Sequence, residues 1–402
     1  MPASPSSMTS SAPNWRVSSS MSVSIGLSVS LVTLGLWSLH LHRRLALLAR
    51  LLVSARDAAR DAARDDDGHS GDDVSLGGED TNHQKFVSHL RLMSGHLLRY
   101  GPCEEHTMFI SVSPGGEQNH NAQLVPQHCA IWIGGLTDGI LGAPYLQHLS
   151  RQLHRNNCAL VQINIRSSYR QYGLHTLRDD AEDIYRAMKK LLVLGAEKFF
   201  LIGHSTGCQD LCKLGDALVH LRGSGTETEK VAATDMMARW SGAVLQAPVS
   251  DREDLSAESL SALSYAEKSD DDDEIIPVRI LGVGHPPMTC RRAKALWLRN
   301  GDDDCFSTDL TDDELARRLS GIGEATCAHF LLSGGDEYAG GPLKDGGNGA
   351  HASHGARLAR LCCKDASSSV VSGALHSCSN RVEACVESIL QHMRVVGFVA
   401  SP

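Results

Sequence analysis

The chain has 402 residues, 42% hydrophobic and 21% charged, which is typical of a globular protein with one large domain and additional segments. Its net charge of −9 argues against general nucleic-acid binding, and we expect no nucleic-acid partner. The charge is unevenly distributed along the chain. Residues 1–56 contain five arginines and no Asp or Glu, so all 47 acidic residues lie in the remainder.

Twelve cysteines are scattered along the chain without C-x-x-C or zinc-finger spacing. Free thiols in a reducing compartment are therefore favoured over a disulfide framework. The runs Asp270–Asp273 and Asp302–Asp304 are interpreted as solvated loops, because a bound cation needs ligands that surround it. We expect no metal and no cofactor.

The N-terminal segment differs from the rest in composition. Residues 1–20 are rich in Ser, Pro and Thr and are predicted to be disordered. Residues 21–41 carry no charged side chain and have the length of a membrane span, which predicts a transmembrane anchor. Three arginines closely follow this segment and one precedes it, which predicts that the rest of the protein faces the cytosol.

A second interpretation of the N-terminus remains open. An acid-free start rich in Ser and Arg also fits a cleaved organelle-targeting segment, and a secretory signal fits less well. Residues 42–84 include charges at helical spacing on an alanine background and then an Asp-, Gly- and Ser-rich stretch. They are interpreted as a charged stalk and linker.

From residue 85 onward, short apolar runs alternate with helical patterns such as Thr176–Leu192. Strands separated by helices predict an α/β fold, with a mostly parallel sheet and helices on both faces. Residues 85–402 are interpreted as one such domain with a cap region at about 254–312. The predicted strands are Met108–Val112, Cys129–Ile133, Ala159–Ile165, Phe199–Ile202, Ala243–Gln246, Phe330–Ser333 and Val370–Ser372.

The pentapeptide Gly203-His204-Ser205-Thr206-Gly207 follows the strand at 199–202. A G-x-S-x-G pattern after a short strand is typical of a nucleophile elbow, in which a sharp turn exposes the serine above the sheet. Gly203 and Gly207 supply the space that this turn needs. A glycine-rich turn without chemistry is the alternative.

The loop after the strand at 129–133 contains Gly134, Gly135 and Leu136. A hydrolase elbow needs a second backbone N–H donor from such a loop, beside the N–H of the residue after the nucleophile. Glycines let the backbone approach a developing oxyanion. The Leu136 and Thr206 N–H groups are therefore the predicted oxyanion-hole pair.

Two further candidates follow later strands. Asp336 comes after the strand at 330–333, and His376 comes after the strand at 370–372. Ser205, Asp336 and His376 thus stand in the chain order serine, acid, histidine that α/β-hydrolases use. His376 would move the serine proton and Asp336 would orient the histidine ring. Glu337 is a less favoured acid, because strand alternation points it away.

Several stretches together resemble the DUF1749 (UPF0613) family of α/β-hydrolases, which is related to fungal siderophore esterases. The matching segments span most of residues 129–376. They are Ile133–Gly139, Arg166–Tyr169, Gly203–Asp210, Gln246–Glu253, Asp303–Leu310 and Asp336–Tyr338.

The resemblance implies the α/β-hydrolase fold and hydrolysis of a small-molecule carboxylic ester through an acyl-enzyme. A thioesterase, lipase or acyltransferase would use the same residues. A membrane-tethered binding protein that keeps the fold without turnover is the alternative from another class. Within the resemblance, Gln209 and Asp210 are expected to brace the elbow, while Asp303, Asp304 and Asp309 shape the cap. Gly340–His354 departs from the family pattern and is interpreted as a loop insertion.

Overall fold

The computed structural model describes residues 93–113 and 125–401. In this part of the chain the apolar runs form one eight-stranded sheet in the order β1-β2-β4-β3-β5-β6-β7-β8. The strands are Gly95–Arg99 (β1), Thr107–Ser111 (β2), His128–Ile133 (β3), Cys158–Asn164 (β4), Lys198–His204 (β5), Trp240–Gln246 (β6), Ala328–Ser333 (β7) and Ser367–Val371 (β8).

Strands β3 to β8 run parallel to one another, whereas β1 and β2 form an antiparallel edge. The register aligns the strand ends: Ile133 lies opposite Gly203, and Gly203 lies opposite Leu245. Gln246 in turn lies opposite Leu331. The loops that follow β3, β5, β6 and β7 therefore leave from the same edge of the sheet, where ligands of parallel sheets bind.

Helices connect the parallel strands, as α/β folds require. Three of them begin with a threonine capping box, in which the threonine hydroxyl and an acidic side chain satisfy exposed N–H groups. The helices are Leu146–Arg155 (α1), Leu177–Val193 (α2), Gly207–Ser224 (α3), Glu227–Arg239 (α4), Ala257–Lys268 (α5), Val278–Leu281 (α6), Cys290–Trp297 (α7), Asp312–Ala325 (α8), Gly341–Cys362 (α9) and Val382–Val395 (α10).

The hydrophobic core lies on both faces of the sheet. Along β5, Phe199 and Leu201 belong to one apolar cluster, whereas Phe200 and Ile202 belong to the other. This division follows from the two-residue period of a strand, because successive side chains point to opposite faces. A strand buried on both faces is apolar throughout, which explains why β5 was recognisable in the sequence.

The predicted cap region, about residues 254–312, contains α5, α6 and α7 and forms an apolar cluster that also includes Tyr172. Its Asp303 accepts two hydrogen bonds from buried Arg292 of the same region, at 2.6 and 2.7 Å. Its Asp304 pairs with Arg252 at 2.8 Å. Asp309 also pairs with Arg252. The three aspartates therefore tie segments of this region together and to the segment after β6. Because Asp303 and Asp304 are buried, the expectation of a solvated loop at Asp302–Asp304 is wrong.

The seven strands predicted from the sequence are all present, with ends that differ by a few residues. The last strand differs most, because Ser367–Val371 begins three polar residues before the predicted start at Val370. Strand β1 was not predicted. Its residues Gly95–Arg99 are mostly exposed, so they lack the apolar signal of a buried strand.

The interpretation of Gly340–His354 as a loop insertion is wrong. Helix α9 covers Gly341–Cys362, with two helical parts that meet at Gly347, where φ is 54°. The sequence suggested a loop because glycine has low helix propensity. At Gly355, however, a Cβ would lie 2.8 Å from Leu332 Cδ1, so glycine lets the helix pack closely on β7.

The predicted disordered segment 1–20, the anchor 21–41 and the stalk and linker 42–84 lie outside the described residues, and these assignments stay predictions. In the part of the chain that the structure describes, no helix is long and apolar enough to cross a membrane. All twelve cysteines fall in this part and are free thiols, and Cys208 and Cys212 are buried.

Leu201 in the central strand β5 provides a test of the core. Its side chain is fully buried, whereas Leu260 on the cap helix α5 is 54% exposed. Leu201→Ala is expected to lower the free energy of unfolding by about 2–5 kcal/mol, because it removes buried methyl groups and leaves a cavity. The matched change Leu260→Ala should cost less than about 0.5 kcal/mol. Urea unfolding followed by circular dichroism measures both, and equal losses would contradict the assigned core.

Candidate active site

Ser205 lies on a sharp turn between β5 and α3, and its φ is 54°. This left-handed conformation is strained for a residue with a side chain. The neighbouring glycines permit the turn. A Cβ on Gly203 would lie 2.4 Å from the Gly207 carbonyl oxygen, and a Cβ on Gly207 would lie 2.5 Å from the Ile133 oxygen. Both glycines therefore have the steric role that the elbow pattern predicts.

The loop after β3 approaches the serine closely. A Cβ on Gly135 would lie 2.6 Å from Ser205 Cβ and 3.1 Å from Ser205 Oγ. A Cβ on Gly134 would lie 2.5 Å from Asp138 Cβ. The Asp138 carboxylate holds this loop by accepting a 2.9 Å hydrogen bond from the Gly135 N–H. Glycine at both positions thus lets the backbone reach the nucleophile.

The predicted oxyanion donors flank Ser205. Within the described residues, the Leu136 and Thr206 N–H groups donate no hydrogen bond to the protein. Thr206 is the N-cap of α3, and its N–H lies at the positive end of the helix dipole. Leu136 and Ser205 line the same cleft. Neither N–H group therefore has a competing partner in this part of the chain, and their role as oxyanion donors stays a prediction.

His376 and Asp336 meet above the ends of β7 and β8. His376 Nδ1 lies 2.9 Å from both carboxylate oxygens of Asp336. Both side chains are buried, and the Tyr338 N–H donates a further 3.0 Å hydrogen bond to Asp336 Oδ1. A proton on Nδ1 facing a carboxylate leaves Nε2 as the basic nitrogen. The pair has the arrangement of an oriented general base.

Glu337 contacts the backbone of His376 and not its ring. Its Oε2 accepts a 2.7 Å hydrogen bond from the His376 N–H. Asp336 is therefore the ring partner, as the sequence favoured. Burial acts to lower the pKa of His376, but the hydrogen bond and charge of Asp336 outweigh it and the pKa stands above 6.5.

His204 lies beside the nucleophile, with its ring centroid 4.9 Å from that of His376. Its Nδ1 makes a 2.6 Å hydrogen bond with Gln246 Oε1, and its Nε2 lies 3.6 Å from Asp138 Oδ2. Burial, together with the nearby His376, lowers the pKa of His204 to about 3. His204 is therefore neutral at any physiological pH and serves as a packing and hydrogen-bonding group.

Gln246 is a functional candidate that the sequence reasoning did not single out. Its carbonyl oxygen accepts a 3.0 Å hydrogen bond from the Ser205 N–H. Its side-chain Nε2 donates at 2.9 Å to the His376 carbonyl oxygen and at 3.3 Å to Ser333 Oγ. One fully buried residue therefore contacts both the serine turn and the histidine loop. Its place as the last residue of a predicted strand was the available signal.

Ser205 and His376 line one cleft with a volume of about 490 Å³. The cleft is acidic. Asp251 lies inside it, and burial raises the pKa of Asp251 to about 7, while Gln209 Nε2 donates a 3.0 Å hydrogen bond to that carboxylate. The lining comprises Leu136, Thr137, Asp138, His204, Ser205, Val249, Ser250, Asp251, Asp254, Glu337, Tyr338, His376 and Ser377.

The acidic runs of the sequence bind basic side chains of the protein. Asp272 pairs with Lys294 at 2.9 Å, and Asp273 pairs with Arg291 at 3.1 Å. Among the described residues, no group of three or more His, Cys, Asp or Glu side chains could hold a metal ion. The expectation that no metal is needed stays a prediction.

Comparison with known proteins assigns the family. Residues 105–399 match the model of a family described as a protein of unknown function, DUF1749. The chain belongs to the DUF1749 family. A UPF0613 protein of Schizosaccharomyces pombe is 30% identical over 236 residues, which cover 53% of this chain and 70% of that protein.

A second relative is the fusarinine C esterase sidJ of Aspergillus fumigatus. It is 27% identical over 257 residues, which cover 52% of this chain and 71% of that protein. Among solved structures, the siderophore hydrolase EstB from Aspergillus fumigatus aligns with a TM-score of 0.58 and 21% identity over 76% of this chain and 98% of its own. The last comparison establishes the α/β-hydrolase fold.

Titration of the two central histidines tests the electrostatics of the site. We expect the His376 ring to titrate above pH 6.5 and the His204 ring to remain neutral from pH 5 to 8. Asp336→Asn should lower the pKa of His376, because it removes the charge that stabilises the imidazolium. NMR of isotopically labelled histidine measures these values. A His376 pKa that is unchanged in Asp336→Asn would contradict the assigned partnership.

Proposed function

We propose that the protein is a serine esterase that cleaves a small-molecule carboxylic ester through an acyl-enzyme at Ser205. His376 acts as the general base and acid, and Asp336 orients it. The observation that carries this proposal is that a strained, cleft-lining serine shares its cleft with a histidine whose Nδ1 faces a buried carboxylate. Leu136 in the loop after β3 and Thr206, the N-cap of α3, supply the oxyanion donors.

The assignment of ester hydrolysis rests on the relatives of this chain and on its fold. The protein is a carboxylic ester hydrolase, since its fold is that of α/β-hydrolases and two of its relatives are named esterases. The second of these, esterase AN6793 of Emericella nidulans, is 27% identical over 235 residues. The triad and the acyl-enzyme are the finer part of the proposal, and the geometry described above supports them.

In the first half-reaction, Ser205 Oγ attacks the ester carbonyl carbon while His376 Nε2 takes the hydroxyl proton. The carbonyl oxygen becomes an oxyanion, and the Leu136 and Thr206 N–H groups donate hydrogen bonds to it. The bond between the carbonyl carbon and the alkoxy oxygen then breaks. The alcohol leaves with the proton from His376, and the acyl group remains on Ser205.

In the second half-reaction, a water molecule attacks the acyl-enzyme and transfers a proton to His376 Nε2. The same two N–H groups stabilise the second oxyanion. The bond to Ser205 Oγ breaks as His376 returns the proton to that oxygen, and a carboxylic acid is released. Asp336 keeps Nδ1 protonated throughout and stabilises the imidazolium. Apart from the ester and one water molecule, each step as written uses groups of the protein.

A fluorophosphonate probe tests this assignment on the full-length protein. The wild type is expected to be labelled, and Ser205→Ala and His376→Ala should abolish labelling because they remove the nucleophile and its base. With an activated ester, loss of Ser205 should lower kcat by about 10⁶. Fusarinine C and simple acyl esters form the first substrate panel, because one relative is named for fusarinine C.

The same experiment distinguishes a binding protein from an enzyme. A folded wild type that neither reacts with the probe nor turns over an ester would contradict catalysis and favour a non-catalytic member of the fold. Labelling that persists in Ser205→Ala would assign the nucleophile to another residue. Thioester and acyl-transfer substrates, compared at equal concentration with oxygen esters, determine which acyl chemistry is fastest.

Gly135→Ala tests the close approach of the loop to the serine. The added Cβ would lie 2.6 Å from Ser205 Cβ, so either the loop or the serine must move. We expect kcat to fall about 100-fold, because a displacement of about 1 Å at a reacting group has that effect. Gly223→Ala on α3 is the matched control, since its Cβ meets no atom within 4 Å. Equal activity of the two variants would contradict the role of Gly135.

A further inference from the structure

A second, smaller cavity shares Leu136, in the loop after β3, with the cleft. Its volume is about 10 Å³, close to the least that one water molecule requires. The loop residues Gly134 to Leu136 and the helix residues Thr206 and Asp210 line it, together with Arg292 from the cap. It therefore lies where the oxyanion donors, the start of α3 and the cap meet.

Three polar atoms at this cavity lack a partner. Thr206 Oγ1, Asp210 Oδ1 and Arg292 Nη2 have no hydrogen bond to any described residue, although the side chains are only 4%, 2% and 1% exposed. Buried polar groups in proteins are nearly always hydrogen bonded, either to protein or to ordered water. One donor and two acceptors around a single small cavity match the hydrogen-bonding capacity of one water.

The surrounding structure fixes the direction of these groups. Thr206 and Asp210 are four residues apart at the start of α3, so they lie on the same side of the helix. Arg292 is held from the cap by Asp303 and by a 2.8 Å hydrogen bond from its Nε to the Tyr172 carbonyl oxygen. The third guanidinium nitrogen of Arg292, Nη2, has no partner among the described residues, and Arg292 lines the cavity.

The charges around the cavity favour a neutral occupant. The guanidinium of Arg292 repels a cation, and Asp303 already pairs with it, which leaves little positive charge to bind an anion. Asp180 and Asp210 also line the cavity, and burial raises the pKa of both. The carboxyl group of Asp180 already accepts a hydrogen bond from Ser167 Oγ, which lies 2.6 Å from each of its two oxygens. Water satisfies all three unpartnered atoms without adding charge.

We propose that one buried water binds Arg292 Nη2, Asp210 Oδ1 and Thr206 Oγ1 and thereby holds the oxyanion hole in register with the cap. The guanidinium donates to the water oxygen, and the two water hydrogens are donated to the aspartate and threonine oxygens. Asp210, Arg292 and the Thr206 hydroxyl are positioning residues in this arrangement. They act through the Thr206 backbone, whose N–H is a predicted oxyanion donor, so the kinetic part rests on the proposed function.

A crystal structure of the full-length wild type tests the water site without reference to activity. At a resolution that reveals ordered solvent, we expect density for one water within hydrogen-bond distance of the three atoms. Thr206→Val, which keeps the side-chain shape but lacks the hydroxyl, should lose or displace it. Absence of density in the wild type would overturn the proposal, even if the protein proves to be an esterase.

Kinetics test the link to the oxyanion hole. Thr206→Val is expected to lower kcat about tenfold at unchanged KM. Without the water, the Thr206 N–H moves slightly from the position in which it stabilises the transition state. Thr206→Ser restores the hydroxyl and should recover most of that loss. Thr234→Val on the exposed face of α4 is a matched control with unchanged kcat. Wild-type kcat in Thr206→Val, or equal losses in the Val and Ser variants, would overturn the positioning role. Thermal unfolding establishes that each variant is folded.

Discussion

The geometry of the site depends on the hydrogen bonds that buried Gln246 makes. The backbone carbonyl oxygen of Gln246 accepts a hydrogen bond from the serine turn. Its side chain forms hydrogen bonds with His204 and with the backbone of the His376 loop. Gln246 ends β6, whereas its partners lie at the end of β5 and after β8, and these segments are distant in sequence. A buried amide that loses one of several partners leaves an unsatisfied group, so the arrangement favours one alignment of the strand ends.

Close backbone approach determines the rest of the site. The elbow and the loop after β3 are brought together because four glycines present no Cβ at their contacts. This packing forces Ser205 into a left-handed conformation, and the surrounding sheet maintains the strain. The cap adds a second constraint from outside, since Arg292 reaches from α7 to the polar cavity beneath the same loop. Sheet, elbow and cap therefore converge on a few backbone N–H groups.

The sequence predicted the parts that depend on local pattern. Apolar runs identified seven strands, and residues directly after them included Ser205, Asp336 and His376, which the structure brings together. Their chemical roles stay predictions. Strand β1 was missed because an exposed edge strand lacks a continuous apolar run, and α9 was missed because its glycines permit close packing rather than a loop. Gln246 and Arg292 were not singled out, because their roles come from contacts between distant segments.

The acidic lining of the cleft has a consequence for the fate of the product. In the proposed reaction, ester hydrolysis converts a neutral group into a carboxylate, and this new charge arises in a cleft that Asp254 and Glu337 also line. Like charges in a cleft repel one another more strongly than in bulk water. In the proposed reaction these carboxylates therefore repel the acid formed at Ser205, which disfavours product inhibition and re-esterification, while the neutral alcohol leaves without this assistance.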